Sequence, residues 1–250
     1  MAGRRLHKAL GVVHGNSPQL QPKLADIFGD KQVNRRLMVA ASMLAVLLSV
    51  AVPASAGNVT GKIRLDKVAS ASAGAPAGDK EHVVIWLEGQ DDPKPPQDAV
   101  RISQRNLQFS PDFLIAVRGQ RVDMPNDDDV AHNVFSFTGM NTFNLGIYPK
   151  GEYRSVTFDK TGIVDLFCSI HRDMHARIFV VPTRYYAGAL PGQSFSINDV
   201  PPGKYVLKAW HERSRMLERT VIVPKTGVVT ENLVLEPGAA PNDPVKQAAR

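Results

Sequence analysis

An all-β protein of two β-sandwich units is what this sequence predicts, on three observations. The chain is 43% hydrophobic, a globular composition with enough apolar residues for one or two cores. Its apolar runs are short, and 19 Gly and 18 Pro break them up, which fits strands joined by turns better than long helices. Strand-like segments recur at the short, regular spacing of a sandwich.

The N-terminus comes first. Residues 37–52 form the one long apolar run, preceded by Arg35-Arg36 and followed by Ala54-Ser55-Ala56, a small-x-small pattern. This reads as a secretory signal peptide cleaved after Ala56, with 1–56 as leader and signal. This run of 16 residues, two of them serine, falls short of the roughly 20 that a membrane span needs. The charged leader is long for its type, and Val33 or Met38 would start leaders of more ordinary length. The residues flanking the arginine pair match a twin-arginine signal poorly. Residues 1–56 hold 7 of the 30 basic and 2 of the 24 acidic residues, so the formal +6 falls to about +1 in the mature chain. That balance argues against nucleic acid or an anionic membrane surface as partner. The mature chain is expected in the periplasm, as a monomer without a membrane span.

Within the mature chain, expected strands at 59–65 and 82–87 flank a loop of small residues, 69–78, and residues 91–96, rich in Pro, read as a linker. Seven further strands, at 100–103, 113–117, 121–124, 133–137, 153–158, 162–168 and 176–181, suggest a sandwich of two sheets over 99–182. Segments 194–197, 205–209, 219–223 and 228–235 continue the pattern as a smaller β unit over 185–236, turning tightly at Pro201-Pro202-Gly203. Residues 237–250, rich in Ala and Pro, read as a disordered tail.

The chain has a single cysteine, Cys168, so an exported form cannot close an intrachain disulfide. An inert buried thiol or an intermolecular bridge is the plain alternative to a thiolate held by a metal. Cys168-Ser169-Ile170-His171-Arg172-Asp173-Met174 places a thiolate, an imidazole and a thioether in one seven-residue loop, and His132 lies 36 residues upstream of Cys168 at the start of another strand. Two imidazoles and a thiolate with a weak axial thioether suit copper in electron transfer. Zinc accepts two His and one Cys, but Met is an unusual ligand for it. A binuclear copper centre would need a second, bridging cysteine.

These residues resemble the cupredoxins. Ala131-His132-Asn133-Val134 is similar to the His-Asn segment of plastocyanin, azurin and amicyanin, and Cys-x2-His-x2-Met is spaced as in amicyanin. The resemblance spans roughly 99–182. It implies a Greek-key sandwich and one type 1 (blue) copper ion with His132, Cys168 and His171 as strong ligands and Met174 axial. It further implies a hydrogen-bonding role for Asn133 in tying its strand to the ligand loop. The mature chain also resembles bacterial methylamine utilisation proteins, in which a cupredoxin accompanies a carboxypeptidase regulatory-like (transthyretin-like) β unit. Residues 192–210, with Phe195, Val200, Pro202, Gly203 and Tyr205, carry that likeness. In such units two strands precede these elements, and 57–90 either supplies them or extends the cupredoxin.

Other candidates are weaker. His175, directly after Met174, reads as a partly exposed surface histidine. Asp127-Asp128-Asp129 lacks the ligand spacing of a calcium loop and reads as solvated. Trp86, Trp210 and His211 read as packing residues. No Ser-His-Asp set, phosphate-binding glycine loop or carboxylate pair stands out, so no enzyme is expected. The expected function is one-electron transport between periplasmic redox partners, such as a c-type cytochrome or a dehydrogenase. Copper binding or delivery without electron transfer is the alternative.

Overall fold

The structure is a computed structural model that describes residues 56–66, 82–89, 94–139 and 141–238. The expected leader and signal peptide up to Ser55, the 69–78 loop, residues 91–93 of the linker and the tail beyond 238 lie outside the described residues.

The described residues hold strands and no helix. The chain opens with β1 (Gly57–Leu65) and β2 (Val83–Glu88). It continues through β3 (Val100–Arg101), β4 (Ser103–Arg105), β5 (Gln108–Ser110), β6 (Phe113–Val117), β7 (Arg121–Pro125) and β8 (His132–Ser136). Then come β9 (Phe143–Tyr148), β10 (Tyr153–Thr157), β11 (Gly162–Phe167) and β12 (His175–Val181). Last are β13 (Tyr186–Ala189), β14 (Ser194–Val200), β15 (Gly203–Trp210), β16 (Leu217–Val223), β17 (Val228–Thr230) and β18 (Leu233–Leu235).

Strands β3 to β12 make one sandwich. Its larger sheet has the order β6-β12-β11-β8-β9, its smaller one β10-β7-β3, and β4-β5 is a hairpin. Alternation along β7 and β11 sends Val122, Met124, Val164 and Leu166 inward, where they meet Val134, Phe158 and Ile178 in one core. Strand β9 is absent from the pattern expected of the sequence, because it is a half-exposed edge strand that carries a left-handed Gly146.

Strands β1 and β2 pair with the C-terminal strands. β1 lies between β14 and the successive parallel partners β17 and β18, and β2 lies between β13 and β15. The two sheets close on Val59, Ile63, Ile85, Phe195, Leu207 and Val221. Where β17 gives way to β18, the backbone of Glu231 crosses β1 so closely that a Cβ on Gly61 would stand 1.8 Å from its carbonyl oxygen. Gly61→Val is therefore expected to unfold this half of the protein, a result that thermal denaturation would register as a lost or strongly lowered transition.

A third apolar cluster joins the two sandwiches. Val84, Trp86 and Trp210 pack against Val117, Phe179 and Val181, with ring centroids 5.7 Å apart for Trp86–Phe179 and 4.9 Å for Phe179–Trp210. This arrangement explains two runs in the sequence. Val83-Val84-Ile85-Trp86-Leu87 and Ile178-Phe179-Val180-Val181 are apolar without alternation because both strands are buried on both faces. On β13, Gly188 leaves room for Ile115, whose Cδ1 would lie 2.8 Å from a Cβ there. Phe179→Ala is expected to cost about 3–5 kcal/mol, read as a lowered denaturant midpoint.

Candidate metal centre

The antiparallel pairing of β11 with β12 ends at Phe167↔His175, so residues 168–174 form the loop that closes this hairpin. β8 meets β11 at Phe167↔Phe135, which carries His132, the first residue of β8, past the end of β11 and alongside that loop. Residues distant in sequence thereby meet at one end of one sheet.

Three side chains converge there. The Nδ1 atoms of His132 and His171 are 3.1 Å apart, and Cys168 Sγ lies 4.0 Å from the first and 3.8 Å from the second. These three residues are the His, Cys, Asp or Glu group among the described residues that could hold a metal ion. His132 is fully buried and Cys168 is 5% exposed, whereas His171 is partly open to solvent. Met174 is 1% exposed, packs in the same core cluster as Cys168, and donates its backbone amide to the His171 carbonyl at 3.2 Å.

The triangle passes a simple test of size. Edges of 3.1, 3.8 and 4.0 Å define a circumscribed circle of radius about 2.1 Å, and metal–donor bonds run to about 2.0–2.1 Å for imidazole nitrogen and about 2.3 Å for thiolate sulfur. One ion near the plane of the donors would reach all three. The donor set is soft and trigonal, with two of its three residues buried, which suits copper, and a buried thioether stands close by in sequence.

The polar groups around the triangle are tied down. His132 Nε2 lies 3.0 Å from Asp128 Oδ2, and because a carboxylate only accepts, Nε2 is the donor and Nδ1 is the ring nitrogen left facing Cys168 and His171. The Leu107 amide, and then His132, hold the Asp128 carboxyl below the ordinary carboxylate range, against the opposing effect of burial. Beneath β8, Tyr148 Oη donates to the Met124 carbonyl at 2.7 Å and accepts from Gln104 Nε2 at 2.6 Å; burial pushes its phenol up to about 12. Asn126 Nδ2 bonds the carbonyls of Val130 and Tyr148, which fixes the segment leading to His132.

Two residues stand apart from these donors. Asn133 does not reach the ligand loop: its Nδ2 donates to Asn144 Oδ1 on β9 at 2.8 Å, and its Oδ1 is buried with no partner among the described residues. A register shift between Asn133 and Phe135 turns that side chain toward β9. His175 faces solvent, 3.3 Å from Asp165 Oδ1, with its ring against Phe167. Asp165 also binds Arg177, which reaches Glu212 at 3.0 Å beyond β15. Burial would raise the Asp165 carboxyl, but the bonds from His175 and Arg177 outweigh it and hold the carboxyl low. Asp128 is the participant that sequence patterns do not single out, since its acidic run looks like a solvated loop. Its signal is the placement of a carboxylate four residues before a candidate ligand histidine.

No family model matches the chain, and no curated protein matches it. Among solved structures, a purple cupredoxin from Nitrosopumilus maritimus is 23% identical over 33% of this chain and 99% of its own, with a TM-score of 0.31. A copper-containing nitrite reductase from Thermus scotoductus SA-01 is 23% identical over 37% of this chain and 27% of its own, with a TM-score of 0.33. An amicyanin variant in its Cu(I) form is 21% identical over 33% of this chain and 82% of its own, with a TM-score of 0.32. The chain is thus similar to cupredoxins over about a third of its length, and the assignment of the metal rests on its own donors.

Proposed function

We propose that this chain is an exported type 1 copper protein that carries single electrons between periplasmic partners. The buried triangle of His132 Nδ1, His171 Nδ1 and Cys168 Sγ is the observation that carries the reading. Bound copper would supply one-electron chemistry by alternating between Cu(II) and Cu(I). The chain's own residues do the rest. His132, Cys168 and His171 would hold the ion as strong ligands, with Met174 as a weak fourth one. Burial in a packed core restrains the donors, so that little has to move when the charge changes. His171 is the ligand nearest solvent, and Ile170 beside it is 46% exposed, which makes this end of the sheet the place for a small, transient redox contact. A c-type cytochrome or a periplasmic dehydrogenase is a partner of suitable chemistry.

Titration of the protein with Cu(II), followed by voltammetry, tests the proposal. One equivalent should bind, with an intense visible band from the thiolate and a reversible one-electron couple. Tight binding without a reversible couple would favour the alternative, a copper-delivery module, and failure to bind would overturn both. Export is tested separately, by N-terminal sequencing of protein from the periplasmic fraction, which should begin at Gly57.

Met174→Leu is expected to keep the copper and the colour but to raise the reduction potential, because a donor is lost and the surroundings become more apolar. His175→Ala should leave the potential nearly unchanged, its imidazole being engaged with Asp165 and solvent. Voltammetry of both variants checks the pair, and reversed effects would make His175 the fourth ligand.

A further inference from the structure

We propose that Asp128, held by the tip of the β4–β5 hairpin, is a positioning residue that sets the tautomer of His132 and lowers the reduction potential of the metal centre; the second half of this rests on the copper reading above. A single oxygen, Asp128 Oδ2, accepts from His132 Nε2 at 3.0 Å and from the Leu107 backbone amide at 2.7 Å. Its other oxygen accepts the Asp129 amide at 3.0 Å, so the carboxylate has little freedom to turn away.

The hairpin tip is a two-residue turn. Its central residues, Asn106 and Leu107, both adopt left-handed backbone, with φ of 54° and 57°, as a type I′ hairpin turn requires; asparagine suits that conformation, and leucine takes it rarely. The Leu107 side chain is 48% exposed, and its amide is aimed at Asp128. The root of the hairpin grips the same segment: Gln104, fully buried, bonds the carbonyls of Met124 and Pro125 through Nε2 at 3.3 and 3.1 Å, and its own carbonyl accepts the Asp127 amide at 2.9 Å. Tip and root together hold residues 124–128 against the start of β8.

The consequence for His132 is chemical. With Nε2 committed as a donor to Asp128, the ring can offer only Nδ1 to a metal, and Nδ1 is the atom that faces His171 and Cys168. A carboxylate bonded to the far side of a ligand imidazole makes the ring a stronger donor, which favours the more highly charged metal state. The hairpin, Asp128 and His132 form one mechanical chain from a surface turn to the ligand set.

The test has one arm without metal and one with it. In the metal-free protein, imidazole 15N shifts should report a single Nε2–H tautomer for His132, and Asp128→Ala should convert it to a mixture. In the copper-loaded protein, Asp128→Asn, which keeps the shape and one acceptor, should weaken copper affinity by about 10–100-fold and raise the potential. An unchanged tautomer in Asp128→Ala, or an unchanged potential and affinity in Asp128→Asn, would overturn the positioning role. Wild-type protein that binds no copper would instead overturn the copper reading, and the metal-free arm would still judge the tautomer.

Discussion

Cys168→Ser is expected to abolish the visible band of the Cu(II)-loaded protein. Of the three converging donors, the sulfur is the only one whose bond to copper is covalent enough to absorb strongly in the visible. Serine at this position presents a hydroxyl that stays protonated at neutral pH, where a thiolate would be soft and anionic. The loss should be complete in colour and large in affinity, because His132 and His171 alone make a two-nitrogen site with no charge. The fold should survive, since the substitution is nearly isosteric and the loop ends are fixed by the β11–β12 ladder. Absorption spectra and copper titration of the variant, with thermal denaturation as a control on folding, check this. A variant that keeps the band would show that Cys168 is not a ligand.

The second large effect concerns β1 and β2. A chain limited to residues 185–238 is expected to be unfolded or aggregated. It lacks β1, the strand that joins β14 to β17 and β18, and β2, which joins β13 to β15. Both remaining half-sheets would expose edges, and Phe195, Leu207 and Val221 would lose the apolar residues that cover them. Joining 57–89 to 185–238 through a short flexible linker should restore a single cooperative transition, since all strands of both sheets are then present. Circular dichroism and thermal melting of the two chains decide the matter, and a cooperative, monomeric melt of 185–238 alone would show that β1 and β2 are dispensable. The complementary fragment, 99–182, should self-associate, because Val117, Phe179 and Val181 lose the cover of Trp86 and Trp210.

Much of the site was legible because its densest part is local. Cys168, His171 and Met174 fall within one turn-sized loop, so their spacing survives in the one-dimensional pattern, and the donor types point to a class of metal. Strands such as β7 and β11 were legible for a similar reason: inward and outward residues alternate, and turn residues mark their ends. The edge strand β9 and the short β13 were not, because half-exposed or small residues leave no alternation to read.

The sequence by itself determined the all-β character, the ligand loop and the candidate partner histidine. Only the tertiary structure decided which strands neighbour which. That His132 stands beside the loop follows from the Phe167↔Phe135 pairing, a contact between residues 32 positions apart that no local pattern encodes. That β1 and β2 belong with β13 to β18 follows from hydrogen-bond registers across more than a hundred residues, a question the sequence left open between two sandwiches. The same holds for Asp128, which is one of three identical carboxylates in sequence. It is distinguished only when the hairpin tip and the His132 ring both close on one of its oxygens. Composition and periodicity report how a residue meets its own strand. Pairing, burial on a second face and the partner of a polar atom depend on distant chain brought near, and those are properties of the folded molecule.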